Sequence, residues 1–308
     1  MFKKLTTGKL LVALLALGLV YFGLQFFGNK KRSSSFREVL VDIDTAKSTK
    51  VVITKSGEEL KLLKEEGDWL VELDNGKKVE ALNSSVIRSL ESLNTIKPGR
   101  VAAKKEEKWK DYSVDSSGTR IQVFEDEKKA LDIVLGRFGV KGQRQFYTFV
   151  RLWEDDEVYT SDNFMGASFS TESGNYRDKT LVKAVKDSIQ QIDFVYPNDS
   201  SFNLVKSESG TWILDGEEPA DSAQIATFLN GLRVLNGQSF KDEEISTSVD
   251  FEIKIYQTGK DIISVDGYEN NGEITVNSSL NEKSFFVADQ NLKEKLFKGK
   301  RYFLEGGS

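Results

Sequence analysis

The hydrophobic and polar positions of the chain follow one long pattern twice. Gly67 opens GDWLVELDNGKKVEALNSSVIRSLESLNTIKP, and Gly210 opens a looser copy, GTWILDGEEPADSAQIATFLNGLRVLNG. When Ala81 is set on Ala220, apolar residues recur four, three and three positions apart in both copies. This spacing predicts one apolar helix face in each copy. The matched pairs are Val86 with Ile225, Leu90 with Leu229, Leu93 with Leu232, and Ile96 with Leu235.

The ends of both helices are also predicted. Asn83 and Ser222 stand where an N-cap residue is expected, since their side-chain oxygens can accept from the first free N–H groups of a helix. Pro98-Gly99 and Asn236-Gly237 follow as stop signals.

Alternating strands surround each predicted helix. Glu59–Leu63 and Ser201–Val205 precede the two tryptophans, and three further matched runs follow each helix. The runs begin at Ser113 and Ser248, at Lys129 and Lys260, and at Phe146 and Glu273. The pattern predicts an α+β fold made by tandem duplication. The first module spans residues 48–175 and the second 176–304, each a mostly antiparallel sheet with one packed helix.

The amino-terminal residues predict a membrane anchor. Leu10 to Gly28 contains Gln25 as its one polar side chain and no charge, and basic residues flank it on both sides. Nineteen residues of helix span about 28 Å, close to the hydrocarbon thickness of a bilayer. The alternative is a cleaved signal peptide, but no small-x-small cleavage site follows before the basic cluster. We therefore expect a single transmembrane helix within residues 1–32, a tether over 33–47, and a cloning tail at 305–308.

An anchor of this kind usually leaves the bulk of the chain outside, so the expected location is the inner (cytoplasmic) membrane, single-pass, with the body on the periplasmic side. The basic flanks nearly balance, which leaves the orientation open.

Composition removes several classes of function. The chain contains no Cys and no His, which excludes disulfides, thiolate sites, a lipoprotein anchor and a Ser-His-Asp triad. The first 32 residues hold six basic and no acidic residues, so the rest, with 37 basic and 48 acidic residues, carries a net charge of −11. An acidic body is an unfavourable partner for nucleic acid. No cofactor, metal site or catalytic residue is predicted.

Five residues stand out as structural or interaction candidates. Trp69 and Trp212 occupy the same place in the two copies, which favours packing of helix on sheet, with ligand stacking as the alternative. Trp153 lies beside Glu154–Glu157 at a predicted solvated hairpin tip, so it is a candidate contact residue. Arg177 and Asp178 lie where the modules meet.

Arg177 has two structural interpretations. In the first, it forms a buried or half-buried ion pair that fixes the angle between the modules, donating to backbone carbonyls or to Asp178. In the second, Asp178 is the N-cap of a helix that begins KTLVKAVKDSI.

These elements together resemble the DUF4340 family. Its members look like a membrane anchor followed by duplicated W-x-L…A-D-x-x-x-V-x-x-L-L-x-x-L units, with R-D-K-x-L between them, here Arg177 to Leu181. Tyr112 begins Y-S-V-D, a divergent form of the family's Y-G-L-D in which Ser113 takes the Gly position. The resemblance implies no enzymatic activity. It implies association with exporter-type ABC transporters, so the implied partners are an ABC permease and its ATPase, or other envelope proteins.

Two classes of function follow as hypotheses. The favoured one is a non-catalytic, membrane-anchored accessory or binding subunit of an ABC exporter or cell-envelope complex. The alternative is a carboxylate-based enzyme acting on envelope glycan, which needs a cleft with two facing carboxylates between the modules. A stand-alone ligand-sensing ectodomain shares the first topology but needs a deep pocket.

Overall fold

Alternating apolar residues fold into two antiparallel sheets of nine strands each. The computed structural model describes residues 38–142, 145–243, 245 and 248–304. The described residues from Val41 onward belong to one compact unit. The predicted α+β class with two large antiparallel sheets is confirmed.

The first sheet has the spatial order β4-β3-β2-β1-β6-β7-β8-β9-β5. Its strands are β1 (Ser48–Lys55), β2 (Glu58–Glu65), β3 (Asp68–Glu72), β4 (Lys78–Glu80), β5 (Val101–Ala103), β6 (Thr119–Glu125), β7 (Lys128–Lys141), β8 (Gln145–Leu152) and β9 (Val158–Asp162).

The second sheet repeats that order strand for strand, as β14-β13-β12-β11-β17-β18-β19-β20-β16. Its strands are β11 (Ile189–Val195), β12 (Phe202–Lys206), β13 (Trp212–Leu214), β14 (Glu218–Pro219), β16 (Ser239–Lys241), β17 (Phe251–Gln257), β18 (Ile263–Asn270), β19 (Glu273–Ser278) and β20 (Asn281–Val287). A nine-strand order that occurs twice is the structural counterpart of the sequence repeat.

A small third sheet pairs β10 (Thr180–Val182) with β15 (Leu235–Asn236). In the first half, a side chain joins the segment before β1 to the residue after α1. Asn94 Oδ1 accepts from the backbone N of Ile43 at 3.0 Å, and Asn94 Nδ2 donates to the backbone O of Ile43 at 2.9 Å. Val41 and Ile43 are buried, so part of the predicted tether 33–47 packs into the body. In the sequence, Val41 and Ile43 alternate with Asp42 and Asp44, which is the two-residue period of a β-strand.

Among the described residues, each half contributes one long helix and one short helix. The helices are α1 (Asn83–Leu93), α2 (Trp109–Tyr112), α3 (Ser222–Gly231) and α4 (Gln290–Leu296), and single 3₁₀ turns occupy Glu106–Lys108, Gly166–Ser168, Ser173–Asn175, Lys186–Ser188 and Lys300–Phe303. The predicted apolar faces are confirmed, since Val86, Leu90, Leu93, Ile225 and Leu229 are all buried. The short helices were not predicted. The start of α4 did have a signal, since the Asp289 side chain accepts from Leu292 N at 2.7 Å.

The predicted N-caps are wrong by one residue in both copies. Leu82 and Asp221 precede the helices, and only Asp221 caps, accepting from the backbone N of Ala223 and Gln224 at 2.8 and 2.9 Å. The Asn83 side chain instead accepts from Trp69 N at 2.7 Å, which ties the helix start to β3. The first copy therefore has Leu where the second has a capping carboxylate.

This difference predicts that Leu82→Ser stabilises the protein by about 1 kcal/mol, because a Ser oxygen can accept from an uncapped N–H of α1. Leu82 is 40% exposed, so little apolar burial is lost. Asp221→Ala is the matched control and is expected to destabilise by about the same amount. Urea unfolding of both variants measures the effect. If Leu82→Ser leaves stability unchanged while Asp221→Ala lowers it, the α1 start is already satisfied and this account of the first copy fails.

Within the part of the chain that the structure describes, no helix has the length and apolar character needed to cross a membrane. The segment predicted as an anchor, Leu10 to Gly28, lies outside the described residues.

Candidate functional site

The two halves of the body meet at a backbone extension of the first sheet. Leu82 N donates to Tyr176 O at 2.7 Å, and Asp178 N donates to Glu80 O at 2.9 Å. Residues 176–178 therefore lie beside the end of β4 and extend the edge of the first sheet. Arg177 lies in the middle of this segment and forms a bridge with Ala81.

The Arg177 side chain crosses from this edge to the second half of the body. It is 3% exposed, and its Nη1 donates to both carboxylate oxygens of Asp242, at 2.8 and 3.0 Å. Its guanidinium carbon lies 3.5 Å from the ring centroid of Phe240, and its Nη2 is 3.5 Å from Ser284 Oγ. A planar guanidinium can stack on an aromatic ring while it binds a carboxylate, a geometry that suits Arg better than Lys.

Burial and ion pairing act on Arg177 in opposite directions. Burial lowers the pKa of Arg177, while the hydrogen bond and charge of Asp242 raise it. The Asp242 side chain is 44% exposed, so a buried cation is paired with an anion that water still reaches. The free-energy cost of desolvation therefore falls mainly on Arg177.

The predicted burial of Arg177 is therefore confirmed, but the predicted partners are wrong. Asp178 does not pair with it; the Asp178 side chain accepts from Thr180 N at 2.8 Å, and its carbonyl accepts from Asn281 Nδ2 at 2.7 Å. The helix predicted to follow Asp178 is also wrong, because Thr180–Val182 is the strand β10. Leu181 and Val182 are both fully buried, and pairing with β15 satisfies their backbone better than a helix could.

An acidic cleft of about 750 Å³ opens beside this junction. Its acidic lining consists of Glu58, Glu59, Glu72, Asp74 and Glu172 from the first half and Asp242 from the second. Several of these carboxylates are engaged, since Lys61 Nζ lies 2.9 Å from Glu72 and Thr171 Oγ1 donates to Glu58 at 2.8 Å. No cluster suited to holding a metal ion occurs among the described residues. An acidic cleft of this kind favours a cationic or basic group.

A family model described as "Domain of unknown function (DUF4340)" matches residues 69–250, from Trp69 to the residue before β17. The chain belongs to the DUF4340 family. No curated protein matches significantly. The same holds for solved structures.

The DUF4340 motif Y-G-L-D has a conformational explanation in this chain. Ser113, which takes the Gly position, has φ +54° and ψ +39°. That left-handed conformation is strained for a residue with a Cβ and free for Gly. Tyr112 and Val114 on either side pack inward, with the Tyr112 ring 4.6 Å from Phe149 and Val114 fully buried. The motif therefore makes a tight turn whose flanking side chains pack on β7, β8 and β9.

We expect Ser113→Gly to raise the free energy of unfolding by about 0.5–1 kcal/mol, because it relieves left-handed strain at some entropic cost. Gly136→Ala is the opposite control. A Cβ there would lie 2.3 Å from Tyr112 O, so we expect a loss of about 1–3 kcal/mol. Thermal and urea unfolding measure both, and a destabilised Ser113→Gly protein would contradict the strain assignment.

Trp153 lies in the turn between β8 and β9, as predicted, and is 40% exposed. It belongs to a stack of alternating rings and guanidinium groups. Arg120 lies 3.5 Å above the Trp153 ring, and Arg151 lies 3.7 Å above the Trp109 ring and 5.4 Å from Trp153. Asp132 accepts hydrogen bonds from Nε and Nη2 of Arg120, both at 2.8 Å. Burial alone raises the pKa of Asp132, but hydrogen bonds from Arg120 and Lys129 outweigh it and hold this pKa below its usual value.

Arg151 is the buried centre of that stack, at 1% exposure. Its Nε donates to Val114 O at 3.0 Å, and its Nη1 lies within 3.1 Å of the carbonyls of Leu152, Trp153 and Asp155. The acidic turn Glu154–Glu157 is thus built around a buried cation, which the prediction of a solvated tip did not include.

The two remaining tryptophans are buried, Trp69 at 2% and Trp212 at 8% exposure. Trp212 belongs to a core cluster with Ile225 and Phe228 of α3, the contact that helix-on-sheet packing requires. Trp69 and Asp178 line the same cleft of about 510 Å³, whereas Trp212 and Trp153 lie elsewhere.

Sequence reasoning missed the two residues that complete the junction. Phe240 and Asp242 are more than 60 positions from Arg177, and Asp242 lies in a charged run that is typical of a solvated connector. One signal was available: Phe240 is the single aromatic residue in the polar stretch that follows Asn236-Gly237.

Proposed function

We propose that this DUF4340 protein is a non-catalytic accessory subunit, anchored in the inner membrane by a single pass. Its body binds partner proteins of an exporter-type ABC transporter, or of another cell-envelope complex, on the extracytoplasmic side. The observation that supports this most is the nine-strand order that occurs twice within one compact unit. A duplicated module presents two related faces on one body, and such a body suits the holding of partners better than the enclosure of a substrate.

Two further observations support the proposal. The Arg177 junction joins the halves by a buried cation, so relative movement of the halves would expose or unpair that charge. The sequence places an uncharged apolar segment of membrane-spanning length before the body.

The absence of Cys from the chain allows a direct test of location. Val234, on the second half, is 62% exposed, so Val234→Cys introduces the sole thiol at an accessible site. We expect a membrane-impermeant maleimide to label this variant in intact spheroplasts, and the chain to remain in the membrane fraction. Labelling that requires permeabilisation, or a chain in the soluble fraction, would contradict the proposed location.

The acidic cleft is the one observation that favours the alternative, an envelope glycan hydrolase. Its lining carries carboxylates from both halves, as that hypothesis requires. Incubation of the purified full chain with peptidoglycan, followed by assay of new reducing ends, tests it. Release that disappears in Glu72→Gln would establish the enzyme and displace the accessory-subunit proposal.

A further inference from the structure

The second half of the body carries a basic cleft on an otherwise acidic chain. The cleft has a volume of about 770 Å³ and lies between the end of α3, the segment before β11 and the turn between β17 and β18. Its charged lining consists of four cations and one carboxylate, a net of +3: Lys183, Lys186, Arg233, Lys260 and Asp187. The residues from 33 onward carry a net charge of −11, so this end of the body has the opposite sign to the rest.

Most of these cations have no partner in the protein. The side chains of Lys183, Arg233 and Lys260 are exposed, and they form no ion pair or hydrogen bond with a described residue. Lys186 Nζ donates to Asn230 Oδ1 at 3.0 Å, near the C-terminal end of α3, where a cation complements the helix dipole. That role accounts for one cation of the four, and the other three are available to an anion outside the chain.

A comparison of the two copies shows that the fold does not require these cations. The ladders of β1 with β6 and of β11 with β17 have the same register shift, after Ser48 in one and after Ile189 in the other. This alignment places Asp42 where the second copy has Lys183. The cationic character of the cleft therefore belongs to the second copy and not to the repeated scaffold.

Asn94 and Arg233 also occupy corresponding positions, after α1 and α3, but they have different tasks. The Asn94 side chain binds the backbone N and O of Ile43. In the second copy, the backbone O of Leu232 accepts from Ala184 N at 3.1 Å and takes over that connection. The Arg233 side chain is therefore free of the structural task that Asn94 performs.

Exposed aliphatic side chains accompany the cations. Val185 and Val234 line the cleft, at 49% and 62% exposure. Ile262, two residues after Lys260, is 50% exposed. Val185 is held in place, since its backbone N donates to Gln257 Oε1 at 2.8 Å. Cations beside exposed aliphatic groups suit a lipid headgroup layer, which offers phosphates to the charges and an apolar boundary to the aliphatic groups.

We propose that the basic cleft binds the phosphate headgroups of anionic lipids and so determines which side of the body contacts the membrane. The inference rests on the proposed function, because an anchored body stays beside a bilayer. Nine residues, 29–37, separate the apolar segment from Glu38, and a fully extended chain of that length spans about 35 Å at most. Anionic lipids repel the acidic remainder of the body, so the attraction is confined to the cleft.

An acidic protein segment is the less favourable occupant. Its carboxylates would meet the cations, but they would leave Val185, Val234 and Ile262 in water, whereas a headgroup layer accepts both kinds of side chain. Headgroup contact of this kind is reversible, so the thiol of Val234→Cys still reacts with maleimide between encounters.

Reconstitution of the full chain into vesicles tests this contact. A fluorophore on Ile262→Cys, the sole thiol of that variant, reports approach to the surface through quenching by a nitroxide on the lipid headgroup. With phosphatidylglycerol added to phosphatidylcholine, we expect at least about twofold more quenching at Ile262→Cys than at Val195→Cys, and equal quenching in phosphatidylcholine alone. Val195 is a matched site, since it is 45% exposed and ends β11, whose first residue Ile189 lies at the cleft end.

Two lysines at corresponding turns provide the charge test. Lys260 lies in the turn between β17 and β18, and Lys128 begins β7 at the matching turn of the first copy. Both side chains are exposed. Lys260→Gln is expected to lower the ratio of quenched to unquenched Ile262→Cys label about fivefold, the factor that one cation contributes at an anionic surface. Lys128→Gln is expected to leave this ratio unchanged.

Equal quenching at Ile262→Cys and Val195→Cys in the presence of phosphatidylglycerol would overturn the proposal. Equal effects of Lys260→Gln and Lys128→Gln would do the same. Suppression of the quenching at matched ionic strength by pyrophosphate would assign the cleft to soluble phosphate, and suppression by a polyglutamate peptide would assign it to an acidic protein. Either result would displace lipid.

Flotation of the same vesicles separates this inference from the proposed function. A chain that floats with phosphatidylcholine vesicles but shows no quenching that depends on phosphatidylglycerol keeps the anchor and loses the cleft contact. A chain that floats only with phosphatidylglycerol vesicles loses the anchor and keeps the cleft contact. A chain that floats with neither loses both.

Discussion

Replacing Arg177 with Ala lowers the free energy of unfolding by about 2–4 kcal/mol. Loss of one partner of a buried ion pair commonly costs about 3–5 kcal/mol, and the exposure of Asp242 reduces that figure, because its carboxylate can return to water. The variant also loses the stack on Phe240. It also removes a positive charge that interacts with Glu80, whose Oε2 is buried without a hydrogen-bond partner among the described residues.

One control variant and two measurements distinguish the loss of the Arg177–Asp242 ion pair from a loss of apolar packing in the core. Asp242→Asn keeps the shape and one hydrogen-bonding oxygen, so we expect a smaller loss, about 1–2 kcal/mol. Urea unfolding gives the stability, and limited proteolysis shows whether cleavage moves to residues 176–180. Unchanged stability together with unchanged protease sensitivity in Arg177→Ala would remove Arg177 from its role at the junction.

Replacing Arg151 with Met is expected to cost about 3 kcal/mol or more. The four carbonyls within hydrogen-bonding distance of Arg151 lose a charged donor, and hydrogen bonds to charged groups contribute about 1.5–3 kcal/mol each in favourable cases. Met is an apolar side chain of similar length without N–H donors. The variant therefore loses the hydrogen bonds of Arg151 while it keeps most of the buried volume. Because Trp109 and Trp153 flank the position, intrinsic fluorescence should shift as well.

Arg120→Met is the matched control for this stack. Arg120 lies at its solvent side, and its partner Asp132 keeps contact with Lys129. We therefore expect a loss of about 1 kcal/mol, smaller than that for Arg151, because Lys129 still pairs with Asp132 in the variant. Equal effects at Arg120 and Arg151 would show that the acidic turn does not depend on the buried cation.

The fold was predictable from the sequence wherever local pattern and repetition agreed. The register of Ala81 on Ala220 placed both long helices, because helical spacing and its repetition gave the same answer independently. The pairing of strands into a nine-strand order was not predictable, since β5 joins β9 and β16 joins β20 across long separations. Such contacts depend on tertiary packing, which one local window does not contain.

The contacts of Arg177 were harder to predict from the sequence than the fold. Arg177 was identified by its place between the repeats, but its partner was assigned to the neighbouring Asp178 because sequence proximity was the only guide. Residues next to each other on an extended segment point in opposite directions, so Asp178 was poorly placed to meet the same side chain.

The most direct test of the account is to isolate the full chain with its neighbours. The protein, tagged at Ser308, is extracted from native membranes in a gentle detergent, and co-purifying chains are identified by mass spectrometry against an unrelated single-pass protein with the same tag. The account predicts stoichiometric recovery of an ABC permease with its ATPase, or of another defined envelope complex. Recovery of this chain alone, under conditions that keep other membrane complexes intact, would contradict it and favour a stand-alone ligand-binding protein or enzyme.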